Sequence, residues 1–125
     1  MKNHFHHKGA GATAEQTACC YLEQQGLKRV VENYLLPKVG EIDLVMLDGK
    51  TLVFVEVRSR KHNRFGSPEE TISRSKQTRL IKTANHFLQN NPKHSKRPCR
   101  FDVVALTGGE AEPEIHWIPD AFAAY

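Results

Sequence analysis

Residues 40–60, GEIDLVMLDGKTLVFVEVRSR, largely determine the fold predicted for this 125-residue chain. Asp48 and Gly49 lie between two runs in which apolar residues alternate with other residues. An Asp-Gly pair in such a setting is the strongest short-range signal for a β-hairpin. With Asp48-Gly49 as the two-residue loop, Leu47 is expected to face Lys50. The stretch therefore predicts two antiparallel strands joined by a tight turn.

The same pairing brings acidic side chains together on one face of the hairpin. Asp43 is expected to face Phe54. Side chains two residues apart along a strand project from the same face, so Phe54, Glu56 and Arg58 project together with Asp43. Asp43 and Glu56 are then diagonal neighbours, within reach of each other. A loop longer by one residue would send the two acids to opposite faces, so their convergence depends on the turn.

Two carboxylates held this close need a compensating positive charge. At a separation of about 5 Å they repel by roughly 3 kcal/mol at an effective dielectric constant of about 20. A divalent cation between Asp43 and Glu56 would compensate, because Mg²⁺ prefers carboxylate and carbonyl oxygens, which here include the backbone carbonyl of Val57. The alternative is that Arg58 and nearby lysines neutralise both acids in an exposed salt-bridge cluster. The spacing alone leaves both interpretations open.

A divalent cation at this position would be suited to the hydrolysis of a phosphodiester. It would polarise a phosphate oxygen and lower the pKa of a bound water, which gives a hydroxide nucleophile near neutral pH. Arg58 would stabilise the charge that develops on the phosphate. It is not a candidate general base, because a guanidinium group stays protonated at any accessible pH.

Basic residues are concentrated in one part of the chain, residues 58–108. Twelve lysines and arginines and three acidic residues lie there, a net charge of +9, whereas the remainder has six basic and eleven acidic residues, or −5. Such a field beside carboxylates favours a polyanionic partner that carries phosphates. Phe65, in the basic loop 58–66, would add a base-stacking contact. The alternative is a solvated, lysine-rich helix surface.

Length and composition predict a single domain over residues 10–125, after a flexible tail over residues 1–9. No apolar run approaches the roughly 20 residues of a membrane span, and the N-terminus lacks the apolar stretch of a signal peptide. Three cysteines, two of them adjacent, do not form a disulfide framework, so we expect a cytoplasmic protein with reduced thiols. The predicted elements are a helix over 13–25, strands over 30–36, 41–47 and 51–59, a helix from Ser67 or Ser73 to about residue 89, and strands over 99–106 and 114–118.

Three polar residues outside the hairpin each have two interpretations. Glu15 either points inward from the first turn of its helix or complements the helix dipole. Gln77 extends a buried stripe of the second helix, so it either caps a neighbour or lines a site. Asp102 lies in an apolar run, where it is either a further ligand or the partner of Arg100.

Several segments together resemble a known group of proteins. GEIDLV, a short hairpin and FVEVR resemble the core of the PD-(D/E)xK nucleases. From about residue 8 to residue 125 the chain resembles the YraN family of small bacterial proteins. The segments that carry this resemblance are GATAEQTACCYLEQQG, VGEIDLVMLDGKTLVFVEVRSR, the Lys76-Gln77 pair, RFDVVAL and HWIPDAF. The resemblance implies an α/β fold with a restriction-endonuclease-like αβββαβ core, in which helices flank a central mixed sheet.

The resemblance also implies a site for Mg²⁺ or Mn²⁺. Glu15, Asp43 and Glu56 are the implied metal ligands. Arg58 and Gln77 are the implied further members of the catalytic set. Arg58 stands where the superfamily pattern has a lysine.

The expected function is that of a metal-dependent endonuclease acting on DNA, with branched or damaged structures as candidate substrates. DNA is favoured over RNA, and a homodimer would suit a branched substrate. One alternative is a non-catalytic nucleic-acid-binding protein that retains the nuclease fold, and another is a small scaffold that docks protein partners. The residues expected to contact nucleic acid are Arg60, Lys61, Arg64, Lys76 and Arg79.

Overall fold

The computed structural model describes residues 3–4, 13–60, 72–108 and 112–124, the first two by their backbone. Within these residues the chain forms, in order, β1 (Asn3–His4), α1 (Ala14–Gln24), β2 (Lys28–Leu36), β3 (Gly40–Asp48), β4 (Thr51–Arg60), α2 (Arg74–Asn90), a short 3-10 helix (Pro92–His94), β5 (Cys99–Thr107) and β6 (Glu114–Phe122). The predicted helices and strands are thus present, but the bounds of the last strand are wrong: it was predicted over 114–118, and β6 continues through Pro119 to Phe122. The start of α2 at Arg74, capped by Ser73, is the later of the two predicted starts.

The described strands form one mixed sheet in the order β1-β6-β5-β4-β3-β2. β4 and β5 run parallel, and every other neighbouring pair runs antiparallel. A parallel pair needs a long crossover connection, and α2 lies within the connection between β4 and β5. The succession α1-β2-β3-β4-α2-β5 is the predicted restriction-endonuclease-like αβββαβ core, which β6 extends.

The two helices cover opposite faces of the sheet. Leu44 and Val55 face each other across the β3–β4 hairpin and pack with the buried side of α1. The next pair along the strands, Val45 and Phe54, packs with the buried side of α2. Because side chains alternate along a strand, one apolar hairpin supplies the core on both faces.

The predicted register of the hairpin is wrong by two residues. Asp48 pairs with Thr51, so the two-residue loop is Gly49-Lys50 and not Asp48-Gly49. Gly49 has a φ of 61°, which a type II′ turn requires at its first central position. Asp48 stays in the strand, where its carboxylate lies 3.0 Å from the guanidinium of Arg100. A shift of two residues keeps every side chain on its predicted face, so the acidic residues still converge.

Residues 1–9 are described only at Asn3 and His4, which pair with β6. The predicted flexible tail, and the domain boundary at residue 10, therefore stay predictions. Over the described residues, neither helix has the length and apolar character needed to cross a membrane.

Gly40, the first residue of β3, lies against α2 without room for a side chain. A Cβ at Gly40 would be 3.0 Å from the Oγ1 of Thr83 and 3.4 Å from the Cβ of Arg79. The Thr83 hydroxyl is held in place, because it donates a hydrogen bond of 2.8 Å to the backbone carbonyl of Arg79. β3 and α2 thus approach closely at one end of the sheet.

We expect Gly40→Ala to lower the free energy of unfolding by about 1–3 kcal/mol, because the added methyl pushes α2 away from β3. Urea denaturation followed by circular dichroism measures the change. In a Thr83→Ala background, which lacks the Oγ1 atom nearest to the added methyl, Gly40→Ala should lower the free energy of unfolding by less. An equal cost in both backgrounds would show that Thr83 is not the obstacle.

Candidate functional site

A pocket of about 310 Å³ lies near the start of β3, where α1, α2 and β4 also contribute side chains. It holds four carboxylates and two cationic groups. The lining residues are Glu15, Gly40, Glu41, Asp43, Glu56, Val57, Lys76, Arg79 and Leu80. All three predicted metal ligands are therefore brought to one pocket, called the acidic pocket below.

Helix capping positions the side chains that the helices contribute. The hydroxyl of Thr13 accepts a hydrogen bond from the backbone N–H of Gln16, and the Gln16 side chain accepts one from the backbone of Thr13. This capping box orders the first turn of α1, which carries Glu15. Ser73 caps α2 in a similar way, since its hydroxyl accepts from the backbone N–H of Lys76.

Asp43 has an unusually basic carboxylate. One of its oxygens, Oδ2, accepts a hydrogen bond of 2.8 Å from the backbone N–H of Val57, which favours the charged form. Burial opposes this and is the largest influence, and the nearby carboxylates of Glu56, Glu15 and Glu41 act in the same direction. Together they raise the pKa of Asp43 from 3.8 to about 7. A perturbed carboxyl group in a cleft is a physical indication of a functional site.

Glu56 is buried and ion-paired. Its carboxylate Oε2 lies 2.6 Å from the Nζ of Lys76. The Lys76 side chain is 40% exposed, whereas that of Glu56 is 7% exposed. Lys76 was expected to contact nucleic acid from the surface of α2, and the structure places its ammonium group in the acidic pocket.

The raised pKa of Asp43 should make the metal-free protein less stable as the pH rises. The folded state holds this proton up to about pH 7, whereas the unfolded chain releases it near the ordinary pKa of 3.8. The free energy of unfolding should therefore fall as the pH rises from about 4 through 7. We expect a loss of about 2 kcal/mol, less than the full shift implies because Asp43 is only partly buried.

Urea unfolding in EDTA at pH 5 and pH 8 measures this loss. Glu15, Glu41, Glu56 and Lys76 also line the acidic pocket, so the informative quantity is the difference between the wild type and Asp43→Asn. The variant should be the more stable of the two at pH 8 and should lose the advantage at pH 5. Parallel pH profiles for the two proteins would contradict the assignment.

The acidic pocket has the donor chemistry of an open divalent-cation site. Its carboxylates outnumber its cations, and Asp43 holds a proton to near neutral pH when no further cation is present. Among the described residues no three histidine, cysteine, aspartate or glutamate side chains are grouped as a ready-made metal cage. Mg²⁺ does not require one, since it is often bound by one or two carboxylates together with waters and phosphate oxygens. Asp43 and Glu56 fit that description, but metal binding by them, or by the third predicted ligand Glu15, stays a prediction.

The structure does not bring the other two predicted catalytic residues into the pocket lining. Arg58 is partly buried, and burial together with the charge of Arg60 lowers its pKa, which the carboxylate of Glu56 opposes. The side chain of Gln77 donates a hydrogen bond of 3.1 Å to the backbone carbonyl of Ile72. Gln77 lines a second pocket, of about 280 Å³, whose other lining residues are Arg74, Thr78, Ile81 and Ala123.

The predicted nucleic-acid contacts are placed differently from one another. Lys76 and Arg79 line the acidic pocket. Arg60 is the last residue of β4. Lys61 and Arg64 lie outside the described residues. A contact of any of them with nucleic acid stays a prediction.

Asp102 is a structural residue. It is fully buried in β5 and pairs with Arg100, as one of the two interpretations of the sequence held. It does not line the acidic pocket. Its carboxylate also accepts hydrogen bonds from the side chain of Trp117 and the backbone of Asp120. These contacts connect β5 to β6.

The sequence contains a signal for the position of Lys76. Leu80, Thr83 and Phe87 are buried on α2, and Lys76 precedes them at the same helical spacing. The sequence prediction used the neighbouring stripe, which Gln77 extends. In addition, a cation in the first turn of a helix is unfavourable to the helix dipole, so Lys76 indicates a nearby anion. That anion is Glu56.

Comparison with known proteins gives a consistent family match. The model of the uncharacterised protein family UPF0102 matches residues 14–106. A UPF0102 protein of Pseudomonas aeruginosa is 48% identical over 116 residues, which cover 91% of this chain and 92% of that protein. A UPF0102 protein of Nitrosococcus oceani is 46% identical over 116 residues, which cover 93% of each chain.

Proposed function

We propose that this chain, which belongs to the uncharacterised protein family UPF0102, also known as the YraN family, is a metal-dependent endonuclease acting on DNA. One observation carries the proposal. Four carboxylates line one pocket, where burial and the other three carboxylates raise the pKa of Asp43 to about 7. Because its carboxylates outnumber its cationic side chains, the pocket is suited to binding a divalent cation. Its two cationic side chains are suited to binding a phosphate.

Asp43 and Glu56 would hold Mg²⁺ or Mn²⁺, with Glu15 as a further ligand. When bound, such an ion supplies a Lewis acid for the phosphodiester and lowers the pKa of a coordinated water. The backbone N–H of Val57 holds one oxygen of Asp43 and so orients the carboxylate. Hydrogen bonds to a ligating carboxylate orient it and adjust its basicity in metal sites.

The cations of the pocket would bind the phosphate backbone. Lys76 and Arg79 lie one turn apart on α2, and both line the acidic pocket. Arg58, which the sequence favours as the group that stabilises charge on the phosphate, lies outside the lining. The charge of +9 over residues 58–108 supports a polyanionic substrate. Association should therefore weaken steeply with salt, because each neutralised phosphate releases counterions.

A panel of DNA substrates tests the proposal. The full-length protein is incubated with duplex, single strand, flap and four-way junction in Mg²⁺, Mn²⁺ or EDTA. We expect cleavage of at least one substrate in Mg²⁺ or Mn²⁺ and none in EDTA. Light scattering of the protein, free and bound to the junction, tests the proposed homodimer. A folded protein that cleaves no member of the panel would overturn the nuclease assignment.

The second candidate is a nucleic-acid-binding protein without catalysis, and the Lys76–Glu56 ion pair favours it. At 2.6 Å this pair already neutralises one of the two principal acids. Such a protein would bind DNA in a salt-sensitive way, with an affinity that depends neither on Mg²⁺ nor on Asp43. Loss of affinity in EDTA would count against it.

A further inference from the structure

We propose that Lys76 is an exchangeable counter-ion, which pairs with Glu56 while the metal is absent and passes to a substrate phosphate when a divalent cation takes its place. The inference rests on the proposed function and adds to it how the metal and the substrate are coupled. It also assigns a role to a helix lysine, which the hairpin motif leaves open.

The first argument is the asymmetry of the ion pair. Glu56 belongs to a central strand, and its side chain is 7% exposed. Lys76 reaches it from α2 and is 40% exposed. The ammonium group can therefore leave the ion pair and be hydrated by solvent. The buried carboxylate cannot be left without a cation, because an unpaired buried charge is costly. An incoming cation is what would allow Lys76 to leave.

The second argument is the chemistry of the lysine side chain. An ammonium group is a compact, strongly hydrated charge on a flexible four-carbon stem, whereas a guanidinium prefers a fixed, two-bond geometry. The backbone of Lys76 is fixed by the cap, since its N–H donates to the hydroxyl of Ser73. Only the side chain needs to move, so the exchange requires no rearrangement of α2.

The third argument is that a substrate phosphate could replace Glu56 as the anion that binds Lys76. No acidic residue lies in the first turn of α2, where a positive side chain is opposed by the helix dipole. Arg79, one turn further along, lines the same pocket. A phosphate that enters the acidic pocket would meet both cations near a helix N-terminus, which itself favours anions.

The exchange has a thermodynamic consequence. Lys76 and the metal compete for Glu56, so the lysine should weaken metal binding when no DNA is present. When DNA engages Lys76, this competition disappears. Metal and DNA should therefore each strengthen the binding of the other by the same factor.

Calorimetric titration with Mn²⁺ tests the competition on the full-length protein. We expect Lys76→Met to bind Mn²⁺ roughly tenfold more tightly than the wild type, because a competing charge close to the carboxylate is removed. Lys76→Arg, which keeps a cation, should stay close to the wild type. Lys82→Met is the matched control, because Lys82 is an exposed lysine of α2 outside the pocket lining, and it should leave the Mn²⁺ affinity unchanged. A damaged fold would weaken Mn²⁺ binding, so a gain cannot come from misfolding.

A second titration tests the coupling, with a four-way junction in Ca²⁺ or EDTA. Ca²⁺ should raise the junction affinity of the wild type severalfold, and Lys76→Met should lose most of this increase. If the wild type binds Mn²⁺ and Lys76→Met binds it no more tightly, the exchange is wrong and the proposed nuclease still stands. If the wild type binds no Mn²⁺, the proposed function fails and the exchange fails with it.

Discussion

Asp43→Asn should abolish metal-dependent DNA cleavage and leave the protein folded. Asparagine is nearly isosteric with aspartate, and its side-chain oxygen can still accept the hydrogen bond from the backbone N–H of Val57. It cannot supply the negative charge that a divalent cation needs. A bound metal contributes several kcal/mol to the stabilisation of a transition state, so its loss corresponds to a decrease in rate of roughly 10³-fold or more. Single-turnover cleavage of the best substrate of the panel, in Mg²⁺, measures the decrease.

The control is Glu23→Gln, which removes the same charge from an exposed position of α1 outside the acidic pocket. We expect this variant to cleave at the wild-type rate. Asp43→Asn should also unfold at a higher urea concentration than the wild type at pH 8, since it avoids the burial of a charge, and the repulsion from neighbouring carboxylates, that raise the pKa of Asp43. If purified Asp43→Asn cleaves as fast as the wild type, the acidic pocket is not the catalytic site.

The convergence of Asp43 and Glu56 could be predicted from the sequence because it depends on the period of a strand. The exact pairing could not. Asp48 remains in β3, where Arg100 of the distant strand β5 lies 3.0 Å from its carboxylate, and the turn begins at Gly49 instead. A local turn signal does not include such a long-range contact. The wrong pairing changed which residues face each other across the hairpin. It left each side chain on its predicted face of the sheet, because the shift was by an even number of residues.

The side chain that α2 presents to the pocket was harder to predict. Two neighbouring stripes of this helix are apolar, and periodicity alone does not say which one faces the sheet. Packing decides it, because Phe87 meets Phe54 edge to face with ring centroids 6.0 Å apart. This rotation of the helix points Lys76 into the acidic pocket and places Gln77 at another. The helix itself was therefore predicted correctly, whereas the prediction of a catalytic glutamine in this pocket lacks support.

Asp102 is the polar residue on which the stability of the fold should depend most. It is 0% exposed. Its Oδ1 accepts hydrogen bonds of 2.9 Å from Nε of Arg100 and from the backbone N–H of Asp120, and its Oδ2 accepts from Arg100 at 3.2 Å and from Nε1 of Trp117 at 3.0 Å. The β5–β6 ladder is irregular at this point, between Phe101 and Val103. The carboxylate thus connects the two strands where their backbone pairing is interrupted.

We expect Asp102→Ala to lower the free energy of unfolding by about 3–5 kcal/mol, because it leaves an indole N–H and a backbone N–H without their acceptor and leaves the Arg100 guanidinium paired with Asp48 alone. Urea denaturation measures the loss. Because a small domain is stable by only about 5–15 kcal/mol, Asp102→Asn is the companion variant: it keeps the shape and part of the hydrogen bonding and should lose less stability. The two variants should also lower the protection of β6 amides from hydrogen exchange more than that of β3 amides.

The matched control for Asp102 is Asp48, because both carboxylates bind the same guanidinium, that of Arg100. The Asp48 side chain is 44% exposed, and an exposed ion pair contributes about 1 kcal/mol or less. Asp48→Ala should therefore cost only a fraction of what Asp102→Ala costs. If the two substitutions lower the free energy of unfolding equally, Asp102 stabilises the fold only by its ion pair with Arg100. The buried hydrogen bonds to Trp117 and Asp120 would then contribute little. A large difference would show instead that burial of a fully hydrogen-bonded carboxylate holds β6 to the core.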